Sequence, residues 1–438
     1  MSMIHVSAKT RQLPVGQGGL MVSEIVADQD GHERRLAFAF DCGSLNREHL
    51  RQGIDAIDLE HLDILFVSHL DADHVNGIDL LLDRTKVDTV VLPCLDPLTL
   101  VAAVCSTLND GGLTRDLLDF LTNPVAWLGR RGVDRVVFVT RDVDDGENGS
   151  SRSFEPNEPG SGNGGFNFQP VSRDKKTRLG WQLDGRTTRH AGARRGASSK
   201  VTSESTEATC ALTIELGLAA DPAKASWLLL PYVHPFPKER VDAFLAAVRK
   251  TLRVPESTAL ADRSFNRRML TALESKAKRT ELKHCYLLLS SDNNKPSMSL
   301  YSGPSRTTET FQTWAGVLAG QSHRWKSSSD VTDRNGWLTT GDADLSSGGT
   351  RDPWLKRYGK LLKHVAVFVL PHHGSNACIH DRVLARLGGA MPIACAAARR
   401  KFHPHKTLLA RLELHDLPVC QVTERLESEF TLEQEFLA

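Results

Sequence analysis

The sequence predicts an α/β fold in which packed β-sheets are covered by outer helices. Three observations lead to this prediction. Short apolar runs typical of strands recur along the chain, long helical patterns are few, and polar residues cluster directly after several of the strand-like runs.

The N-terminal part of the chain predicts strands around one short helix. Apolar residues alternate loosely over 20–27 and clearly over 35–41 (RLAFAFD), where Asp-Cys-Gly then forms a turn. The run at 62–68 is apolar almost throughout, which is typical of a strand buried on both faces. A short helix is predicted over 79–83 and a further strand over 87–93.

The rest of the chain predicts more strands than helices. Strands are predicted, in chain order, at 135–140, 208–218, 226–233, 283–290, 297–302, 337–340, 363–370 and 392–398. Helices are predicted at 113–128 and 238–252, the second because its apolar residues lie on one helical face.

Length and composition limit the classes of protein to which this chain can belong. A length of 438 residues with 40% hydrophobic composition suits one elaborate globular domain or two to three smaller ones. The net charge of +1 identifies no partner through bulk electrostatics, although a local basic patch remains compatible with it. No N-terminal signal peptide and no apolar run of ~18 residues is found, so we expect no membrane span. The eight scattered cysteines lack a CxxC pair, which favours free thiols in the cytoplasm.

Residues 144–165 are mostly Gly, Ser, Pro and acidic residues, so the sequence predicts disorder there. The following residues up to 200 carry many Lys and Arg and few acids. This basic tract has two interpretations, a solvated linker or an arm that binds nucleic acid. We favour the linker, because basic tracts are common in solvated segments.

The segment HLDADH places four potential metal ligands directly after a buried strand: His69, Asp71, Asp73 and His74. In an extended loop, alternate side chains point the same way, so the first three can converge, while His74 opens the next helix and faces a second point. Neutral imidazole and carboxylate both bind divalent metals, and this density of ligands suits two adjacent ions. The alternative is a polar loop in which Asp73 caps a helix. Four ligands at this spacing favour the metal site.

Six short motifs occur in one order along the chain. They are VGQGG at 15–19, DCGS at 41–44, SHLDADHVNG at 68–77, TTGD at 339–342, LPHHGS at 370–375 and FHPH at 402–405. Together they resemble the metallo-β-lactamase-fold hydrolase superfamily, most closely the soluble hydrolase domain of ComEC-type competence DNA-uptake proteins. That variant reads VGQGD, DCG, SHxDxDHxGG, TGD, HHGS and HPH.

The resemblance covers roughly residues 10–100 and 285–415 and has two departures. Gly19 stands where the family has aspartate, which we expect to alter the floor of the pocket, and Asn76 replaces a more usual Gly or Ile. The membrane segments and the oligonucleotide-binding-like domain of the uptake channel are not found in this sequence. We therefore expect a stand-alone soluble relative that does not inherit DNA transport.

The resemblance implies a metallo-β-lactamase-like αββα sandwich with a large insertion. The N-terminal half of that domain would span 1–100 and the C-terminal half 281–438. The insertion would span 101–280 and include a disordered linker at about 144–205.

The resemblance also implies a role for each site residue. His69 and Asp71 would hold one metal, Asp73 and His74 the second, and Asp342 would bridge both. A further imidazole would complete each site. The implied metal ligands are His69, Asp71, Asp73, His74, Asp342, His372 and His403. The implied catalytic residues are Asp73, His372 and His373.

In that scheme Asp73 accepts a proton as well as binding metal, and whichever of His372 and His373 does not bind metal protonates the leaving oxygen. For His405 a surface position is an alternative to metal binding. Asp41 matches the family's early strand-end aspartate, whereas Asp344 is expected to be a turn residue and His234 a structural one.

The implied cofactors are two divalent metal ions, manganese or zinc. Asp71 stands where the superfamily usually has a second histidine, and a carboxylate is a harder ligand than an imidazole. This exchange shifts the expected preference from zinc toward manganese or magnesium.

Three functions remain open from the sequence. The first is a metal-dependent phosphodiesterase, in particular a nuclease, with nucleic acid or a nucleotide as substrate. The second is a hydrolase of a small nucleotide or ester, with the insertion closing the site to polymers. The third is a non-enzymatic interaction module with protein partners or a second copy of the chain. The presence of every expected ligand argues against the third, and no membrane partner is expected.

Overall fold

The structure is a computed structural model that describes most of the chain. The residues described are 4–93, 101, 105, 119–120, 123–140, 177–185, 187–190, 194–195, 199–206, 210–217, 226–233, 238–258, 263–289, 297–305, 311–317 and 334–437. Within them, no helix is both long and apolar enough to cross a lipid bilayer.

Strands outnumber helices in this described part, as the sequence predicts. The strands are β1 (Ile4–Gln12), β2 (Gly18–Gln29), β3 (His32–Ser44), β4 (His61–Phe66), β5 (Lys86–Pro93), β6 (Arg135–Val139), β7 (Gly180–Asp184), β8 (Thr187–His190), β9 (Arg194–Arg195), β10 (Ser199–Lys200), β11 (Thr202–Thr206), β12 (Ala211–Glu215), β13 (Ser226–Val233), β14 (Met298–Pro304), β15 (Phe311–Val317), β16 (Gly336–Thr339), β17 (Val365–Val369), β18 (Met391–Cys395), β19 (Cys420–Val422) and β20 (Phe430–Leu437). The α-helices are α1 (Arg47–Asp55), α2 (Ala72–Val75), α3 (Ile78–Arg84), α4 (Pro124–Arg130), α5 (Lys238–Leu252), α6 (Arg263–Glu274), α7 (Lys276–Leu289), α8 (Gly348–Tyr358), α9 (Asp381–Leu384) and α10 (Lys406–Leu414).

Two large mixed sheets contain nearly all of these strands, so the chain has an α/β fold. The first sheet has the strand order β15-β20-β1-β2-β3-β4-β5-β6-β11-β8, and the second has β19-β18-β17-β16-β14-β13-β12-β7. Strands β3 to β6 run parallel in the first sheet, and β16 to β19 run parallel in the second. Parallel strands end at the same edge of a sheet, and the loops after those ends carry the candidate site.

The two sheets face each other across a shared apolar core. Phe38 and Phe66 project from the first sheet, and Trp227, Trp337 and Ile393 project from the second into the same cluster. The rings of Phe38 and Phe66 meet edge to face with centroids 6.1 Å apart. Burying one such ring contributes about 1.5–3 kcal/mol, so this layer fixes the spacing between the sheets.

Helices cover the outer face of each sheet. On the first sheet, Leu65 belongs to a cluster with Leu50 of α1 and Phe244 of α5. On the second, Leu230 belongs to a cluster with Trp354 of α8. The order of layers is therefore helices, sheet, sheet, helices. Every residue of β4 after His61 is buried because both faces of that strand are covered, as the continuous apolar run predicts.

One predicted strand is wrong. Residues 283–290 were predicted as a strand, but they belong to helix α7 up to Leu289. Leu282, Cys285 and Tyr286 are buried with helical spacing, whereas Leu287 and Leu288 are exposed. A short apolar run fits a strand and a helix equally well, and packing against α5 and α6 decides between them here.

The disorder predicted for the linker at 144–205 is wrong for part of that stretch. Residues 141–176 lie outside the described part of the chain, as does half of the predicted helix at 113–128. Strands β7, β8 and β11 occupy the second half of that stretch, so disorder is wrong for them. The stretch expected as an insertion also supplies β6 to the first sheet and β12 and β13 to the second. The proposed three-part division of the chain remains a prediction.

The tyrosine hydroxyl that joins α8 to the second sheet gives a stability prediction. Tyr358 is fully buried, and its hydroxyl donates to the carbonyl oxygen of Leu230 at 2.8 Å and lies 3.2 Å from that of Ser299. We expect Tyr358→Phe to lower the free energy of unfolding by about 1–3 kcal/mol, because buried acceptors lose their donor. Urea unfolding measures this change. Leu414→Ala, at an 85% exposed position, is the control with an expected change within about 0.5 kcal/mol. Equal midpoints for Tyr358→Phe and wild type would contradict the assignment.

Candidate metal centre

The candidate site lies where parallel strands of both sheets end. His69 follows β4 after Val67 and Ser68, Asp342 follows β16, and His372 and His373 follow β17. Because the sheets pack face to face, these loops meet although they are far apart in sequence. The structure thereby brings together all the site residues predicted from the sequence.

The helix-capping alternative for the HLDADH segment does not match the observed geometry. Asp71, not Asp73, occupies the position before α2, and its side chain makes no capping hydrogen bond. Asp73 and His74 lie within that short helix. Asp73 is therefore not the cap of this helix.

The carboxylate of Asp342 is the centre of the cluster. Its Oδ2 atom lies 3.6 Å from Nε2 of His69 and 3.9 Å from Nε2 of His372. Its Oδ1 atom lies 3.5 Å from Nε2 of His74 and 3.8 Å from Nε2 of His373. These separations are too long for good hydrogen bonds, and they are compatible with two ligands of one cation. Each oxygen therefore faces its own pair of imidazoles.

Two further carboxylates lie beside these imidazoles, one on each side of Asp342. Asp71 Oδ2 lies 3.6 Å from Nε2 of His69, and Asp73 Oδ2 lies 3.4 Å from Nε2 of His373. The potential ligand atoms of Asp73, His74 and His373 all lie within 4.8 Å of one another, as do those of His69, His74 and Asp342. We call the residues on the Oδ2 side of Asp342 set one (His69, Asp71 and His372) and those on the Oδ1 side set two (Asp73, His74 and His373).

The outer nitrogen of each imidazole contacts a polar atom of the protein. Nδ1 of His74 donates to Asp41 Oδ2 at 2.7 Å, and Nδ1 of His373 donates to the carbonyl oxygen of Cys395 at 2.9 Å. Nδ1 of His372 lies 3.4 Å from the Cys378 sulfur. A carboxylate or a carbonyl can only accept, so Nδ1 of His74 and of His373 carries a proton, and Nε2 is the ring nitrogen that faces inward and can bind a metal.

Several inward atoms have no hydrogen-bond partner among the described residues. They are Nε2 of His74, Nε2 of His373 and Oδ1 of Asp342, all buried. Buried polar atoms are nearly always satisfied, so three unsatisfied atoms that converge require an explanation. A cation bound between them would satisfy all three.

Two serines behind the histidines, Ser68 and Ser297, were missed by the sequence reasoning. Asp41 accepts from the backbone N–H of Ser68 at 2.6 Å and from the Ser68 hydroxyl at 2.7 Å. That hydroxyl in turn accepts from Nδ1 of His69 at 2.9 Å. Ser297 accepts from the backbone N–H of Asp342 at 3.0 Å. Ser68 is adjacent to a ligand in sequence and could have been found, whereas no local signal points to Ser297.

The backbone is held in an uncommon conformation at the site. Asp41, His372 and His373 have positive φ values of 59°, 48° and 57°. The left-handed region costs a non-glycine residue about 1–2 kcal/mol, so the surrounding packing must enforce it. Gly43 is required for close approach, since a Cβ there would meet the backbone of Asp73 and His74. These constraints place Asp41 directly beneath His74.

The charges within the cluster stabilise one another. Burial alone would raise the pKa of Asp73, but His74 and His373 lower it to about 2. Burial would also raise the pKa of Asp342, and the four surrounding imidazoles, His372 first, hold that pKa well below its usual value. Burial would lower the pKa of His74, but Asp41 and Asp342 raise that pKa well above its usual value. The carboxylates are therefore ionised at neutral pH.

The remaining sequence candidates occupy the rim of the site. The His403 ring lies 5.3 Å from the His372 ring and 6.2 Å from the His373 ring, centroid to centroid, and belongs to neither set. Burial and the two neighbouring imidazoles lower the pKa of His403 to about 4.

His405 caps α10 by accepting from the N–H of Thr407 at 3.2 Å. Asp344 accepts from the N–H of Ser346 at 2.8 Å, as a turn residue does. His234 lies outside the described residues.

Gly19, which stands where the resembling family has aspartate, lies beside Asp41 and His74. A Cβ on Gly19 would lie 3.1 Å from the Cβ of Asp41 and 3.5 Å from Nδ1 of His74. An aspartate here, as in the resembling family, would approach the carboxylate that orients His74. Gly19 leaves Asp41 without that competitor.

A third group of potential ligands differs from the centre because a lysine and an arginine pair with its carboxylates. Asp63 accepts from the N–H of Ala37 at 2.8 Å and from Arg178 at 2.9 Å. His61 lies 2.8 Å from Asp88, and Lys86 lies 2.9 Å from the other oxygen of that carboxylate. Protein cations already occupy the positions that a metal would need. This group, near the N-terminal ends of β4 and β5, is an ion-pair network.

The bond between Asp41 and His74 gives a prediction for metal affinity. We expect Asp41→Asn to weaken metal binding by about 10–100-fold, because an amide no longer fixes the proton on Nδ1 of His74. Competition with a chelator measures the affinity. Asp79→Asn is the matched control, since Asp79 pairs with Arg47 at the surface and should leave the affinity unchanged. Unchanged affinity in Asp41→Asn would show that this bond does not orient a ligand.

The arrangement could hold two divalent cations, one against each oxygen of Asp342. Histidine and carboxylate ligands suit zinc and manganese, and each added carboxylate favours the harder ion. Such a pair of sites can polarise a phosphoryl or carbonyl group for hydrolysis. No protein-family model and no curated protein matches this chain. The argument for function therefore rests on the geometry of these side chains and on the motifs that supply them.

Proposed function

We propose that this chain is a dinuclear metal-dependent hydrolase of the metallo-β-lactamase fold that cleaves phosphodiester bonds in nucleic acid. One observation carries the proposal: the two oxygens of Asp342 face two separate sets of imidazoles and carboxylates. A bridging carboxylate between two such sets is what a two-metal site requires.

The architecture supports the proposed fold family. Two facing sheets with helices on both outer faces correspond to an αββα sandwich. The six sequence motifs that resemble the superfamily supply the cluster and its surroundings, from Gly19 and Asp41 to His403.

The donor set fits the implied metals. The unsatisfied inward atoms of His74, His373 and Asp342 lie together in a buried space, with ionised carboxylates beside them. His69, Asp71, His372 and one oxygen of Asp342 would hold the first cation. Asp73, His74, His373 and the other oxygen would hold the second. When bound, the cations would lower the pKa of a water molecule and neutralise charge that develops on a phosphoryl oxygen.

The chain's own residues would manage the protons. Asp73 is the most exposed carboxylate of the cluster, with 14% of its side chain accessible, so it can contact an entering water molecule and accept its proton. His373, 3.4 Å away, orients that carboxylate. His403 lies beside His372 at the rim and belongs to neither set, so its imidazole N–H can donate a hydrogen bond to the leaving oxygen. Asp41 and Ser68 keep the deeper histidines in their inward orientation.

The substrate class follows from the ligands and the resemblance. A carboxylate-rich site favours hard cations, which are the usual partners of phosphate oxygens. The motif set resembles the hydrolase domain of a DNA-uptake protein, so nucleic acid is the first substrate to test. A small nucleotide or ester remains the alternative within the same chemistry, and the cytoplasm remains the proposed location.

Metal content gives the first prediction of this proposal. We expect about two ions per chain in wild type by elemental mass spectrometry, as a two-metal site requires. Asp73→Ala and Asp342→Ala should lose this metal, because each removes a proposed ligand. Asp184→Asn is the matched control, since it changes a part-buried carboxylate that accepts from the Thr213 hydroxyl and lies outside the groups of potential metal ligands among the described residues, so both ions should be retained. Circular dichroism establishes that each variant is folded. Folded wild type that binds no manganese or zinc would overturn the hydrolase and favour an interaction module.

Activity gives the second prediction. We expect cleavage of DNA or RNA oligonucleotides with manganese at a rate at least equal to that with zinc, because Asp71 hardens set one. Asp73→Ala should lower kcat by about 100-fold or more, since it removes a proton acceptor. Cleavage of small diesters but not of oligonucleotides would favour the small-substrate alternative. Full activity with zinc and none with manganese would contradict the metal assignment.

A further inference from the structure

An exposed loop beside the candidate site combines three cations with an aromatic ring. Arg399, Arg400 and Lys401 are exposed and consecutive, and Phe402 follows them directly. The Phe402 side chain is 62% exposed, whereas most large apolar side chains of the described residues are buried. We call residues 399–402 the basic-aromatic loop. An exposed aromatic side chain beside three cations can contact a ligand, because aromatic residues contribute strongly to binding interfaces.

The loop is built on the strands that form the site. The N–H of Ala398 donates to Glu424 at 2.9 Å, and the N–H of Arg400 donates to the Ala397 carbonyl oxygen at 2.9 Å. On its far side, the N–H of His405 donates to the Gly374 carbonyl oxygen at 3.0 Å, directly after the histidine pair. These bonds fix both ends of the loop, so its exposed side chains have a defined position.

The open side of the cluster is the side on which this loop lies. The side chains of His69, His74 and Asp342 are only 3–5% exposed. Asp73 at 14% and His372 at 10% are the more accessible members. The His403 ring stands 5.3 Å from that of His372 and directly follows Phe402. Arg400 is exposed and precedes His403 by three residues in the same loop.

This combination of groups fits one class of ligand. Consecutive Arg and Lys side chains attract the phosphate backbone of a nucleic acid. A free aromatic ring offers a face on which an unpaired base stacks, and stacking is available only to bases outside a duplex. Lys401 lies 5.7 Å from the centre of the Phe402 ring, so charge and ring act at one place. Protein partners of an acidic kind would use the charges but not the stacking surface.

We propose that the basic-aromatic loop docks single-stranded nucleic acid, with a base stacked on Phe402 and phosphates held by Arg399, Arg400 and Lys401, so that the strand leads into the candidate metal centre. The inference deepens the proposed nuclease function and rests on it for the fate of the bound strand. Docking itself requires no catalysis, so binding can be measured separately from cleavage.

The test is fluorescence anisotropy with a labelled single-stranded oligonucleotide of about 12 nucleotides, within the usual site size for such proteins. EDTA is present so that no strand is cleaved. We expect wild type to bind the single strand more tightly than a duplex of the same sequence. Phe402→Ala should weaken binding roughly 5- to 100-fold, the effect of losing one base–aromatic stack, and Phe402→Tyr should restore it. Arg400→Ala should also reduce the slope of log affinity against log salt by about 0.7.

Two matched controls separate docking from general surface effects. Lys363→Ala removes an exposed cation that precedes the N-terminal end of β17, whereas His372 follows the C-terminal end of that strand. Leu414→Ala removes an exposed apolar side chain at the far end of α10. Both should bind like wild type.

The outcomes distinguish this inference from the proposed function. Equal binding by wild type, Phe402→Ala and Arg400→Ala would overturn the loop as a docking surface, even if metal content and cleavage support the nuclease. No oligonucleotide binding at low salt would overturn it as well. Binding to vesicles that contain phosphatidylserine, without binding to oligonucleotides, would assign the loop to a membrane surface instead. A loop-dependent affinity in a protein without cleavage activity would support docking and contradict the nuclease.

Discussion

The candidate site depends on the carboxylate of Asp342, because its two oxygens face two different pairs of imidazoles. Its two oxygens lie within 4 Å of four different imidazoles, two on each side. No other residue of the cluster contacts both sets in this way among the described residues. The position of Asp342 is set by β16 and by the bond from its N–H to Ser297, so sheet packing determines whether the two sets face each other.

This concentration of buried charge is costly to assemble. Removing carboxylates from water is unfavourable unless opposite charges or hydrogen bonds replace the solvent. Within the cluster, the imidazoles lower the pKa of Asp342, and the carboxylates of Asp41 and Asp342 raise the pKa of His74, so the opposite charges compensate each other. The left-handed residues Asp41, His372 and His373 add strain to the same region. A fold that holds these groups in place gives up stability that the facing apolar layers must supply.

Local patterns in the sequence were sufficient for many of the strands and for the residues that form the cluster, but they did not predict β1, β15, β19 or β20. Continuous apolar runs such as that of β4, and motifs such as HLDADH and HHGS, contain their information within a few residues. The error at 283–290 and the strands within the expected linker have another cause. There the sequence is ambiguous or polar, and contacts with distant elements decide the structure. Ser297 could not be predicted for the same reason, because its role depends on His69 and Asp342, which the fold brings near it.

The distribution of the cluster along the chain has a consequence for the order of folding. Ser297 and His69 are 228 positions apart, and set one is completed only by residues that come later still. Closing so long a separation is entropically costly and slows folding. On the ribosome, the HLDADH segment emerges long before Asp342 and the histidine pair, so its carboxylates and imidazoles initially face water. The proposed capture of a cation between the two sets would therefore belong to the last stage of folding, when the strands of the second sheet have closed over the first.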